Sequence, residues 1–449
     1  MRGFLISTSL VLTASVLTAS VAGAQDDGDD TQILFENVRV FDGVGSELSE
    51  ATNVLVTGYL IGAIGPDVTA AGDATLIDGD GRTLMPGLSD CHWHLLQIAV
   101  SNPDLYFSDP YKNIIKVALK TEHTLMQGIT TVRDMGGNLF AIKDLIDEGS
   151  IVGPRVLPSG ANISMTSGHG EVRLPNMLPR PEGRALIDLE IAGHTFIVDG
   201  VPAILRRVRE NLMRGASQIK AHAGGGVASQ TDPLDGAQFS PEELSAAVEE
   251  AKRWNTYVAV HAYSAKAVKH ALEAGVTSIE HGQMIDEEAA QMIAENEAWV
   301  CMQPFLDDED RIPLDSEFSN YKYDLMLAGV DTAYTLAAEY DLKVGFGTDM
   351  QQNPAMIDRW GAQLVKLTNW YTPVEALQMA TSVNQEFFRL SGPRHPYQEG
   401  PLGVVQEGAY ADLLLVDGNP LEDIEIVADP DANFRIIMKD GVIYKNTLE

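Results

Sequence analysis

The sequence is poor in cysteine and in positive charge. Only Cys91 and Cys301 occur in 449 residues, which excludes the disulfide framework that small exported domains depend on. Each lies in an apolar, strand-like run, so both are expected to be buried free thiols. Lys and Arg number 31 against 64 Asp and Glu, a formal charge of −33. A nucleic-acid or anionic-membrane surface needs a basic patch, so neither partner fits this balance. The acid excess is expected to solvate the surface, with adaptation to salt as one reason for it.

Uninterrupted apolar stretches are also scarce. The exception is residues 4–21, preceded by Arg2 and followed by the A-x-A site Ala22-Gly23-Ala24 and by Asp26, Asp27, Asp29 and Asp30. This pattern predicts a signal peptide over 1–24, cleaved after Ala24, and an exported protein, periplasmic or secreted. A membrane-anchoring helix is the alternative, but the run is rich in Ser and Thr and lacks stop-transfer charges. Cleavage leaves 30 basic against 64 acidic residues, a charge of −34. No membrane contact is expected afterwards.

With 45% apolar and 21% charged residues the rest reads as globular. Residues 25–85 and 400–449 look like short strands punctuated by Gly and Asp, as in ILFENVRVFDG and GVVQEGAYADLLLVDGNP. They predict a small β-sandwich domain formed by both termini. Between them, 86–399 alternates apolar β-rich runs (86–94, 129–134, 155–161, 217–222, 256–261, 276–281, 298–303 and 343–348) with helix-favouring stretches. Ser240-Pro241-Glu242-Glu243 and Thr372-Pro373-Val374-Glu375 are capping boxes that open helices near 241–253 and 373–381. Eight such runs predict an α/β protein built on a (β/α)8 TIM barrel, with a doubly wound open sheet as the alternative. Two connections, 162–200 and 304–322, are too long for simple loops and are candidate lids.

Polar residues collect at the ends of these runs. His92 and His94 are two apart on a strand and share a face. His261, His281 and Asp349 each end an apolar run. Lys220, in SQIKAHAGGG, stands where a lysine should not be buried unless its charge is removed or paired. Any one of these has a structural explanation, but six at barrel strand ends suggest a common purpose. Imidazole and carboxylate suit Zn2+ and related ions. Two ions about 3.5–4 Å apart need a bridging anion, and a lysine that has reacted with CO2 is a bidentate carbamate.

MPGLSDCHWHL, IKAHAGGG, VAVHAYS, SIEHG and GFGTD, in that order, resemble the metal-dependent amidohydrolase superfamily. The likeness is greatest to imidazolonepropionase-like members that act as Xaa-Pro dipeptidases, carboxypeptidases or ochratoxin-degrading hydrolases. The resemblance implies two divalent metal ions, with Zn2+ favoured. His92, His94 and Asp349 would bind the more buried one, His261 and His281 the second, and carboxylated Lys220 both. It makes Asp349, Lys220 and His281 catalytic. Asp349 would take a proton from the bridging water that attacks the carbonyl, then return it to the leaving nitrogen.

Tyr263 stands where many relatives carry a second histidine. It, His222 and the loop residue His169 are candidate substrate contacts. Arg173, with Arg180 and Arg184, is a candidate partner for a substrate carboxylate. His123, His270 and His395 read as bystanders. The expected substrate is a small molecule or dipeptide with a peptide-like amide beside a C-terminal amino acid. The alternatives are a cyclic amide or lactone at the same metals, or a non-catalytic binding or assembly protein of the same fold. A homo-oligomer is expected.

Overall fold

The computed structural model describes residues 31–448 apart from 181–184, 230, 231, 313 and 315. The expected signal peptide and Arg184 lie outside the described residues.

Both ends of the chain meet in one eight-stranded sheet. Its path runs Val442–Asn446, Phe434–Lys439, Leu413–Val416, Thr83–Pro86, Gln32–Val40, Thr52–Thr57, Leu60–Gly65, and Thr75–Asp78 pairs with Gln32–Val40 off the path. Strand Gln32–Val40 serves both halves, pairing with Thr52–Thr57 through its first residues and with Thr83–Pro86 through Arg39 and Val40. Alternating side chains of the two halves, among them Phe35, Val54, Leu84, Leu413 and Ile436, bury into one common core. Both terminal segments therefore contribute side chains to that core.

The middle of the chain is the expected barrel. A three-stranded parallel sheet (Leu88–Trp93, Ile129–Asp134, Arg155–Pro158) is followed by a parallel sheet carrying Asn162–Ser164, Ile219–His222, Val258–Ser264, Ser278–Met284, Trp299–Met302 and Lys343–Phe346, with Thr195–Ile197 added at its edge. The third stave differs from the single run expected at 155–161. It breaks at Gly160, whose φ of +71° only glycine adopts readily, and resumes at Asn162 to pair with the next strand.

Closure between the eighth strand and the first rests on side chains as much as on ladder bonds. The Asn384 amide donates to the carbonyls of Ser89 (3.1 Å) and Phe346 (2.8 Å) and accepts from Phe346 N (3.0 Å). Asp90 accepts from Thr348 Oγ1 (2.7 Å) and Trp360 Nε1 (2.8 Å). Both predicted capping boxes form, on helices Pro241–Arg253 and Pro373–Gln378. The second helix ends earlier than expected, in a wider turn over Met379–Val383.

The expectation of free thiols is overturned. Cys91 on the first strand and Cys301 on the seventh form a disulfide with Cα atoms 6.2 Å apart. The strand between them supplies the reason. A Cβ on Gly345 would stand 3.2 Å from Cys91 Sγ, and one on Gly347 would stand 2.7 Å from Cys301 Sγ. The two glycines therefore leave the space that the bridge crosses. The bond closes a separation of 210 residues, which on a chain-entropy estimate is worth up to about 5 kcal/mol. Reduction under native buffer, or the double variant Cys91→Ser/Cys301→Ser, should lower Tm by about 5 °C. Differential scanning calorimetry with and without reductant checks this.

Candidate metal and substrate site

His92, Lys220, His261 and His281 lie within barrel strands, and His94 and Asp349 lie just beyond the C-terminal ends of theirs. His222 pairs in register with His261, and Ala262 with His281, so parallel pairing alone lines up side chains from neighbouring strands. His92 Nε2 is 3.6 Å and His94 Nε2 3.1 Å from Asp349 Oδ1. These three buried residues offer ligand atoms within 4.8 Å of one another. Lys220 Nζ lies 3.4 Å from His92 Nε2. The His281 ring is 4.8 Å from that of His92 and 4.4 Å from that of His261.

The histidines are held from behind by acceptors, and this decides which ring nitrogen remains free. His92 Nδ1 donates to Glu280 Oε2 (2.8 Å), His281 Nδ1 to Gln303 Oε1 (2.8 Å) and His261 Nε2 to the carbonyl of Gly225 (3.2 Å). A ring that donates through one nitrogen keeps the lone pair of the other, which is how proteins orient metal-binding imidazoles. Burial pushes His92 and His261 well below the usual imidazole range and His281 down to about 4, so all three are neutral at pH 7. Burial works to raise the Asp349 carboxyl, but the imidazoles of His92, His94 and His281 hold it well below the ordinary carboxylate range. Neutral imidazoles beside an ionised carboxylate are the donor set a divalent cation takes. Burial also brings Lys220 down to about 8.

Of the candidate substrate contacts, His169, His222 and Tyr263 come to the same cluster. His169 stacks on His261 with centroids 4.1 Å apart and lies 5.1 Å from His222. Tyr263 stacks on His281 at 4.6 Å, and burial keeps its phenol protonated, well above the usual value. Arg173 is engaged elsewhere. Its Nε donates to Glu171 Oε1 (2.7 Å) and its Nη2 pairs with Glu171 Oε2, so the sequence-based expectation of a guanidinium ready for a substrate carboxylate does not match its contacts. Arg180 likewise pairs with Glu190 (2.8 Å). His123 pairs with Asp358 at the surface, His270 with the Phe239 carbonyl, and His395 accepts from Tyr397 N.

Sequence reading missed the groups that orient the cluster. Glu280, wholly buried, accepts both Nη2 bonds of Arg133 (2.8 and 2.7 Å) as well as the His92 proton. Gln303 fixes His281. A signal was present, since Arg133 and Glu280 interrupt apolar runs as Lys220 does. Their pairing, however, spans 147 residues. Backbone geometry at the site is also unusual, for His281 and Asp349 have φ of +85° and +51°, which costs a non-glycine residue about 1–3 kcal/mol.

Residues 83–445 match the model of the amidohydrolase family. Ochratoxinase of Aspergillus niger is 31% identical over 404 residues, 81% of this chain and 75% of the enzyme. A crystal structure of a prolidase complexed with N-methylphosphonate-L-proline is 32% identical, with a TM-score of 0.82 over 93% of this chain and 100% of that one. A Xaa-Pro dipeptidase with methionine bound in the active site is 27% identical, with a TM-score of 0.76 over 93% of this chain and 100% of that one.

Glu280→Gln keeps the shape but removes the charge facing His92 Nδ1 and Arg133. Metal affinity should fall by about 10- to 100-fold, read by competitive chelator titration with fold checked by circular dichroism.

Proposed function

Because the chain belongs to the amidohydrolase family, we propose that it hydrolyses a peptide-like amide beside a C-terminal amino acid. Xaa-Pro dipeptides, carboxypeptidase-type substrates and N-acyl amino acids all fit this description. The observation that carries the reading is the convergence of free imidazole lone pairs, the Asp349 carboxylate and the buried Lys220 amine at the barrel mouth. The substrates named for the prolidase, the Xaa-Pro dipeptidase and the ochratoxinase support the substrate class.

His92, His94 and Asp349 would hold one divalent ion, and His261 and His281 a second. Lys220 would bridge them as its carbamate, and the ligand types favour Zn2+. When bound, the ions supply Lewis acidity for the scissile carbonyl and make water more acidic. Lys220 is suited to carboxylation because an amine near 8 is partly neutral at physiological pH, and the neutral amine is the form that attacks CO2.

Asp349 is ionised and can accept the proton of the attacking water. It then donates that proton to the leaving nitrogen, so that one carboxylate acts first as base and then as acid. Tyr263 keeps its O–H and donates a hydrogen bond to substrate. His169 and His222 line the same side and bind the substrate's polar groups. We also propose that the protein is exported. The Cys91–Cys301 disulfide supports an oxidising compartment.

The test is a screen of the Zn2+- and bicarbonate-treated protein against Xaa-Pro dipeptides, N-acyl amino acids and lactones. Cleavage of an amide series, with two ions per chain by elemental analysis, is the expected result. Cleavage of lactones alone, or no bound metal, overturns the reading. Lys220→Ala should lose both metal and turnover, and Asp349→Asn should lower kcat by about 10²- to 10⁴-fold. Near wild-type turnover in either variant contradicts the mechanism.

A further inference from the structure

The loop after the Lys220 strand surrounds a carboxylate that the reaction does not use. Asp232 is 1% exposed. Its Oδ2 accepts from Gly226 N (2.7 Å) and Gln238 Nε2 (3.3 Å), and its Oδ1 accepts from Ser229 Oγ. The same Oδ2 faces His169 Nδ1 at 3.7 Å. Gln238 Oε1 accepts from the backbone N of His169 at 2.9 Å. A Cβ on Gly226 would overlap the His169 ring, so glycine is what lets the loop close around it. The opposite face of this arrangement is the stack on His261, with an interplanar angle of 21°.

Lys322, on helix Glu317–Leu327, secures the loop from outside. Its buried ammonium donates to the carbonyls of Gly226 (2.6 Å), Ser229 (2.6 Å) and Asp232 (3.1 Å). It therefore hydrogen-bonds the loop's backbone and the Ser229 hydroxyl (3.4 Å), while the Asp232 carboxylate acts on it through charge alone. A neutral amide at 232 would keep the oxygen that accepts from Gly226 N and Gln238 Nε2, with weaker bonds than a carboxylate makes. A buried negative charge is costly to keep, and two groups here respond to it: the Lys322 ammonium and the imidazole edge of His169.

We propose that Asp232 is a positioning residue for substrate binding that acts through His169. Its carboxylate lies 3.7 Å from Nδ1 of the ring, beyond hydrogen-bond distance, and its charge favours the proton on Nδ1, which leaves Nε2 as the nitrogen available to substrate. This rests on the reading of His169 as a substrate contact in the proposed amide hydrolysis. Gln238 sets the backbone of the same residue, and Lys322 links both to the segment that follows the seventh strand.

The test is a double-mutant cycle on the metal-loaded enzyme with its best amide substrate. Asp232→Asn keeps the shape of the site and should raise KM about tenfold with kcat within about twofold. Metal content and Tm should match the parent. In a His169→Ala background the same change should alter KM by less than twofold. An equal effect in both backgrounds, or a loss of metal that tracks the loss of activity, overturns the proposal.

A second readout does not depend on turnover. In [15N]histidine NMR spectra the His169 ring, assigned by its loss in His169→Ala, should show one tautomer in the parent and a mixture in Asp232→Asn. An unchanged ring signal overturns the positioning role. If the parent cleaves none of the amides, the proposed function falls, and the ring signal decides the positioning role by itself.

Discussion

The buried pair of Arg133 and Glu280 is the contact on which both barrel and site depend. Arg133 belongs to the three-stranded sheet and Glu280 to the other parallel sheet, so their two hydrogen bonds tie the two parts of the barrel across its interior. Neither side chain is exposed. Removing one partner from such a pair costs about 3–5 kcal/mol, because the other charge is left without water or counter-ion. The same Glu280 carboxylate takes the His92 proton. The ion pair that joins the sheets thus also determines which lone pair His92 presents to the barrel mouth.

That sharing of bonds between fold and site recurs. Asp349 N donates to the His92 carbonyl (2.9 Å), and this bond joins the last barrel strand to the first while placing the carboxylate between two imidazoles. Asp349 and His281 both keep left-handed backbone conformations. Such strain persists where the surroundings over-determine it, here through Gln303 on one side and the barrel closure on the other. Beneath them the Cys91–Cys301 bridge spans the glycines of the last strand, so the floor under His92 is covalent as well as packed.

The long connections contribute differently. His169 comes from the segment after the broken third stave and is held by Gln238 and faced by Asp232 from the segment after the fourth strand. Lys322 belongs to the segment after the seventh. Three excursions from the barrel meet around one imidazole. The strands and the residues just beyond them set the ligands, while the loops set His169. Asp310 adds a further tie, since Arg359, Gln363 and Lys366 all converge on it.

By itself the sequence determined what depends on near neighbours along the chain. Alternation of apolar residues marks the barrel strands. Ser240 and Thr372 with their glutamates mark two helix starts, and a lysine in an apolar strand before three glycines marks Lys220. Polar residues at or near strand ends marked His92, His94, Lys220, His261, His281 and Asp349 as candidates, because in a parallel barrel every strand end faces the same way. Only the tertiary structure decided the rest. Cys91 with Cys301, Glu280 with Arg133 and His92, and Asp232 with His169 are pairings between distant segments. Their partners are chosen by how the sheet closes and how the loops fold over it, and no local pattern of residues encodes that. Arg173 shows the converse. As a charged loop residue it looked available, and its burial against Glu171 followed from the path of a connection that periodicity does not describe.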